Sequence, residues 1–140
     1  MTYTIQEVSQ KVNVSTYSIR YYDDHGLLPT VKRDENNNRV FDDVDIEWVE
    51  IVTCLRATEM PLAKIKHYIE LCLEGDKSVP ERYRIMVEQQ RETMAQAEKV
   101  QAHLRLINKK VDHYANVLIN NKPDTLMPSK QSGKIYTQDF

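Results

Sequence analysis

Few residues in this chain have types and spacing suited to chemistry, and most of them fall in its first half. The stretch "IRYYDDHGLL", Ile19–Leu28, sets an arginine and two adjacent tyrosines ahead of two aspartates, a histidine and a glycine. Such letters fit a catalytic pocket, a nucleic-acid contact or an ordinary half-buried helix carrying an Arg20–Asp24 pair one turn apart. Two cysteines, Cys54 and Cys72, are too few and too isolated for a disulfide framework or a CxxC metal site. The four histidines, His25, His67, His103 and His113, show no HExxH or comparable metal spacing. A thiol-dependent enzyme would need Cys54 beside a base and an oxyanion site, and no such constellation is legible. The expectation is therefore a non-enzyme without cofactor or metal.

The elements that must carry these residues read as helices. With three glycines and five prolines in 140 residues there is little room for hairpins, which disfavours an all-β fold. Thr4 followed by Glu7 has capping-box spacing, and Ile5, Val8 and Val12 recur at helical intervals, predicting a short helix over about residues 4–11. Ser15 is placed to cap a second helix through about Asp24, with Gly26 suited to a left-handed position just beyond it. On that helix Ile19 and Tyr22 share the inner face, while Tyr17, Arg20, Tyr21 and Asp24 point outward. Two short helices joined by a tight turn form a helix-turn-helix pattern.

Pro29 stops any continuation, and "VKRDENNNRVF" then reads as two short strands around a polar tip, Asp34–Asn38. Lys32, Arg33 and Arg39 decorate this hairpin, and Phe41 is expected in the core. A third helix follows, with Val44, Trp48, Ile51, Val52 and Leu55 as its apolar face. Pro61 suits the first position of a fourth helix, which Gly75 closes.

From about Pro80 to Asn120 neither proline nor glycine interrupts a helix of roughly ten turns. Its apolar stripe runs through Tyr83, Val87, Met94, Ala97, Val100, Leu104, Ile107, Val111, Tyr114 and Leu118, with a phase shift near Ala97. Alternating three- and four-residue steps are a coiled-coil seam. A helix this long exceeds what so small a domain buries alone, so a partner helix is required, most simply from a second copy of the chain. The tail after it is punctuated by Pro, Ser and Gly and is expected to be mobile. Domains are thus expected at 1–76, 77–120 and 121–140. No apolar run reaches the length of a membrane span, and no signal-peptide core is present, which points to the cytoplasm. Net charge is −2, so any binding to nucleic acid must come from a local basic patch.

Taken in order and register, "IRYYDDHGLL", the wing ending in "NRVF" and the helix pair around "MPLAKIK" strongly resemble the DNA-binding domain of MerR-family transcriptional regulators. The resemblance covers about residues 3–75, and the long helix agrees with the family's antiparallel dimerisation coiled coil. It implies a mainly α protein, a winged helix-turn-helix domain followed by that coiled-coil helix. It further implies a homodimer, associated with the nucleoid, that binds a pseudo-palindromic element in double-stranded promoter DNA. Such regulators distort an overlong promoter spacer and so reach RNA polymerase indirectly, through the DNA, as activators or repressors. On this reading Thr16 and Tyr17 meet base edges, Arg20 and Tyr21 reach phosphates, and Tyr22 contributes from a position that is also core. Lys32, Arg33 and Arg39 become wing contacts that offset Asp23 and Asp24, and Lys66 matches a phosphate-contacting position of the family. Lys64 is a weaker candidate.

Cys54 has two readings. A single cysteine on an apolar helix face is usually a small buried hydrophobe. "IVTCLRATEMPL" also resembles a subgroup that responds to aldehydes, other electrophiles or nitrosative stress through one cysteine at this position. A thiolate there would be the nucleophile, favoured by a nearby Arg56 or His67. Cys72 has no such match and is expected to be structural. The resemblance implies that metal sensors of the family place soft ligands at the end of the dimerisation helix and in the following loop; residues 111–140 here offer no cysteine and only His113. A regulator answering a non-covalent small molecule, and a coiled-coil adaptor for another protein, are the remaining alternatives.

Overall fold

A computed structural model describes residues 1–128. The elements run α1 (Ile5–Val12), α2 (Thr16–Asp24), β1 (Lys32–Arg33), β2 (Arg39–Val40), α3 (Asp43–Ala57), α4 (Leu62–Glu74), a 3-10 turn (Asp76–Ser78) and α5 (Val79–Asn120). The fold is mainly helical, with an N-terminal helix-turn-helix and wing and a long C-terminal helix.

Local signals explain the first two helices. Thr4 caps α1 through a full capping box with Glu7, so two backbone N–H groups without helical partners are satisfied reciprocally. Asn13 ends α1 in the left-handed region at φ 56°, and Ser15 starts α2 by accepting from the Ser18 N–H. Ile19 and Tyr22 are buried, as the helical period requires. Gly26, at φ 74°, turns the chain out of α2. β1 and β2 pair antiparallel, Lys32 opposite Val40 and Arg33 opposite Arg39. Asp34 organises the tip by accepting from the Asn36 and Asn38 N–H groups. The wing is tied to the N-terminus by a reciprocal pair of bonds between Tyr3 and Phe41.

The core of the first compact unit, Met1–Arg91, gathers Val8, Ile19, Leu27, Phe41, Val49, Val52, Met60 and Ile65. This unit extends beyond residue 76, because Ile85 and Gln89 in the first turns of α5 are buried in it. Gln89 donates through Nε2 to the Thr58 carbonyl and hydroxyl, and its Oε1 is buried with no partner.

Three local expectations are corrected. On α3 only Val52 of the expected apolar face is fully buried, while Val44 and Ile51 are exposed. The inward face is instead Asp45, Ile46, Val49 and Val52, because Asp45 turns in to complete a capping box with Asp42 and to accept from the Thr30 hydroxyl. Tyr83 is exposed, since the inward face of early α5 is set by Ile85 and Gln89. Pro61 stands one residue earlier than expected, as the N-cap of α4, with extended backbone at ψ 146°.

The second unit begins at Glu92. Along it Met94, Val100, Leu104, Ile107, Val111 and Leu118 are all exposed, at the three- and four-residue spacing of a seam. Beyond α5, Asp124 accepts from the Leu126 N–H and lies 2.9 Å from His113 Nε2, so the start of the tail is held to the helix. The His113 contact, ahead of the Leu126 N–H, holds the Asp124 carboxyl below its usual range. The rest of the tail, residues 129–140, lies outside the described residues. Among the described residues no helix is long and apolar enough to cross a membrane.

Candidate nucleic-acid interface

The outward side of α2 is an aromatic and cationic surface created by helical period alone. With Ile19 and Tyr22 drawn inward, Tyr17 is left 76% exposed and Tyr21 37% exposed, and Arg20 stands exposed between them. Thr16, half-buried at the first turn, lies 3.5 Å from Arg20 Nη1 through its hydroxyl. A groove of about 560 Å³ runs between the start of α1, α2 and the wing, and Arg20, Arg33 and Arg39 all line it. Guanidinium groups at an open cleft can bind phosphate oxygens with paired N–H donors where those donors are not already taken within the fold.

The wing cations are not equivalent. Lys32 is exposed, and Arg33 donates across the tip to the neutral Asn37 carbonyl at 2.9 Å. Arg39 is engaged otherwise. Its Nε meets Asp23 and its Nη2 meets Asp24, each at 2.7 Å, and its side chain is only 12% exposed. The expected free wing cation is thus a clamp across two aspartates, and the expected Arg20–Asp24 pair gives way to it. Sequence periodicity had no means of finding a bond between residues sixteen positions apart; only the opposite signs of Asp23 and Arg39 hinted at it. Tyr22, also a candidate, is 9% exposed and belongs to the core.

Lys66 reaches this surface from α4. A Cβ added to Gly26 would meet Lys66 Cε and Nζ at 3.3 Å, so the ammonium lies directly over the turn that ends α2. His25 sits at the same turn, its ring against Tyr21 with centroids 4.0 Å apart and the planes tilted by 36°. Lys64 is bound to Glu88 at 2.8 Å and so has a structural partner. Sequence reasoning brought Lys66 to the site through resemblance, but no pattern in the letters placed it against Gly26.

Cys54 is exposed on α3, which corrects the buried-hydrophobe reading. Arg56 spends a guanidinium N–H on the Met60 carbonyl at 2.9 Å. Cys72 is half-buried beside Tyr68, whose phenol is pushed up by burial and further by its bond to that thiol. No cluster of three metal-ligating side chains occurs among the described residues.

Known proteins share this arrangement. The family described as MerR HTH family regulatory protein matches residues 3–72. An uncharacterized HTH-type transcriptional regulator of Haemophilus influenzae is 37% identical over 114 residues, covering 81% of this chain and 84% of that protein. The HTH-type transcriptional regulator AdhR of Bacillus subtilis is 32% identical over 85 residues, 61% of each chain. Among solved structures, HiNmlR, a MerR family regulator lacking the sensor domain and bound to promoter DNA, superposes with a TM-score of 0.78. It is 34% identical, over 87% of this chain and 92% of that one. The chain belongs to the MerR family of helix-turn-helix, DNA-binding transcriptional regulators.

Proposed function

We propose that the chain binds double-stranded promoter DNA as a homodimer and is switched by thiol-reactive compounds at Cys54. The observation that carries the DNA reading is the exposed face of α2, Tyr17, Arg20 and Tyr21, with Arg20 and the wing's Arg33 lining one groove and Lys66 of α4 lying over the turn that ends α2. Thr16 and Tyr17, near the start of α2, face base edges in the major groove, and the others hold phosphates. Arg39 serves this surface indirectly, by pairing with Asp23 and Asp24 and offsetting one of their two charges. The likeness to a promoter-bound relative supports the same partner here. Two copies joined by antiparallel α5 helices present two α2 helices to the halves of a pseudo-palindrome, and distortion of the spacer between them acts on RNA polymerase through the DNA.

Dimerisation is supported by the unpartnered seam of α5, since burying each Leu, Ile or Val side chain is worth about 1.5–3 kcal/mol. Exposure of Cys54 supports the switch: its thiolate can attack an aldehyde carbonyl, forming a C–S bond while the carbonyl oxygen takes up a proton. Fluorescence anisotropy with promoter fragments across a salt series tests the DNA reading, with a slope near −0.9 for each phosphate neutralised. Affinity indifferent to both salt and sequence would instead indicate a protein-binding adaptor. For the switch, in vitro transcription with and without formaldehyde compares the wild type with Cys54→Ser, and an unchanged response in the variant assigns the signal elsewhere.

A further inference from the structure

We propose that His25 is a DNA-backbone ligand that binds phosphate only as the imidazolium, making the protein's grip on DNA tighten with acidity. The inference rests on the DNA-binding reading above and adds a residue to it. His25 Nδ1 lies 2.8 Å from the Tyr21 carbonyl oxygen. A carbonyl oxygen only accepts, so Nδ1 must carry the hydrogen. In the neutral ring Nε2 is then a lone pair, which repels a phosphate oxygen; in the charged ring it becomes a donor. The contact that fixes the ring therefore also decides which protonation state can touch DNA.

His25 lies beside two of the proposed phosphate ligands. His25 is exposed, its ring meets Tyr21 at 4.0 Å between centroids with the planes tilted, and it adjoins Gly26, over which Lys66 Nζ lies. Tyr21 and His25 thus meet at the C-terminal end of α2, and Lys66 of α4 reaches the adjoining Gly26. The other charged groups about it are Asp23 and Asp24 on the same helix, and Arg39 of β2 holds both of them. The aspartates are thereby kept from claiming the imidazolium as their own partner.

Because a phosphate contact is independent of sequence, the test needs no operator. The full-length protein is titrated onto a fluorescein-labelled random-sequence duplex across a salt series, once near pH 6 and once near pH 8. The wild type is expected to bind more tightly near pH 6, with a salt slope steeper by about 0.9 per protomer. His25→Gln should lose that difference, His25→Lys should show the steeper slope at both pH values, and His67→Gln should behave as wild type. Since His25 is exposed, circular dichroism should report all variants as folded. A pH-independent slope in the wild type, or a pH-dependent slope surviving in His25→Gln, overturns the assignment while leaving DNA binding intact. A folded wild type that binds no duplex at either pH overturns the DNA-binding reading and this proposal with it.

Discussion

Replacing Arg39 by glutamine separates two ways in which a wing arginine can serve DNA binding. Its Nε and Nη2 meet Asp23 and Asp24 at 2.7 Å each. With side chains 12% and 18% exposed, Arg39 and Asp23 are largely shielded from water, so their charge-assisted bond is worth about 1.5–3 kcal/mol. Asp24 is 64% exposed, and its share is at most about 1 kcal/mol. Arg39→Gln should therefore lower stability by about 2–3 kcal/mol. In a domain of this size that is a fall in thermal midpoint of roughly 10–20 °C, read by circular dichroism.

DNA affinity should fall as well, because two carboxylates are unmasked beside the binding surface. The triple variant Asp23→Asn, Asp24→Asn, Arg39→Gln removes the clamp and the charges it neutralises together. If Arg39 acts through the aspartates, the triple variant recovers most of the stability and affinity, and its salt slope matches wild type. If Arg39 touches a phosphate itself, the triple variant stays weak and its slope is shallower by about 0.9 per protomer. That second result would refute the clamp.

Other outcomes follow from the same structure. Ile107→Asp, in the middle of the exposed seam, should convert a dimer to monomers by analytical ultracentrifugation while leaving the N-terminal unit folded by circular dichroism. Iodoacetamide should alkylate exposed Cys54 before half-buried Cys72, read by peptide mass spectrometry of the native protein. Gln89→Leu strips the Thr58 carbonyl of its donor and should cost about 1–3 kcal/mol in urea denaturation, softened by relief of the unpartnered Oε1. Bonds from the Asp45 N–H, above all, hold the Asp42 carboxyl below its ordinary 3.8. A depressed carboxylate stabilises the fold fully above that value and loses its contribution as pH falls through the lower, folded one. Asp42→Asn should therefore flatten the wild-type loss of stability in acid below about pH 4.

What the letters disclosed was local. Thr4 with Glu7, Ser15 before "TYSIRYY" and Gly26 after it are caps whose partners lie within four residues, so their helices were legible. The seam of α5 was equally plain, because hydrophobic period is a property of one element. Expectation failed on α3, where the apolar residues satisfy two stripes at once. Choosing between them depends on Asp45, a charged residue that turns inward for Thr30 and the Asp42 cap. Hydropathy alone assigns an aspartate to solvent, so the wrong stripe looked better. The Arg39 clamp and the approach of Lys66 to Gly26 span sixteen and forty positions, and a periodic signal carries no information at that range.

The clamp also answers how a chain of net charge −2 can present a cationic surface. Acidic residues near DNA are costly only where their field reaches the phosphates, and at physiological salt that field decays over about 8 Å. Asp23 and Asp24 fall within such a distance of the outward side of α2, since they end the same helix. Pairing both with one arginine offsets one of their two charges at its source, and does so while fastening β2 to α2. The wing is thereby held against the helix it flanks, and its orientation and its charge balance come from one side chain. The overall charge of the chain accordingly says little about its affinity for DNA; what matters is which cations the fold has already spent.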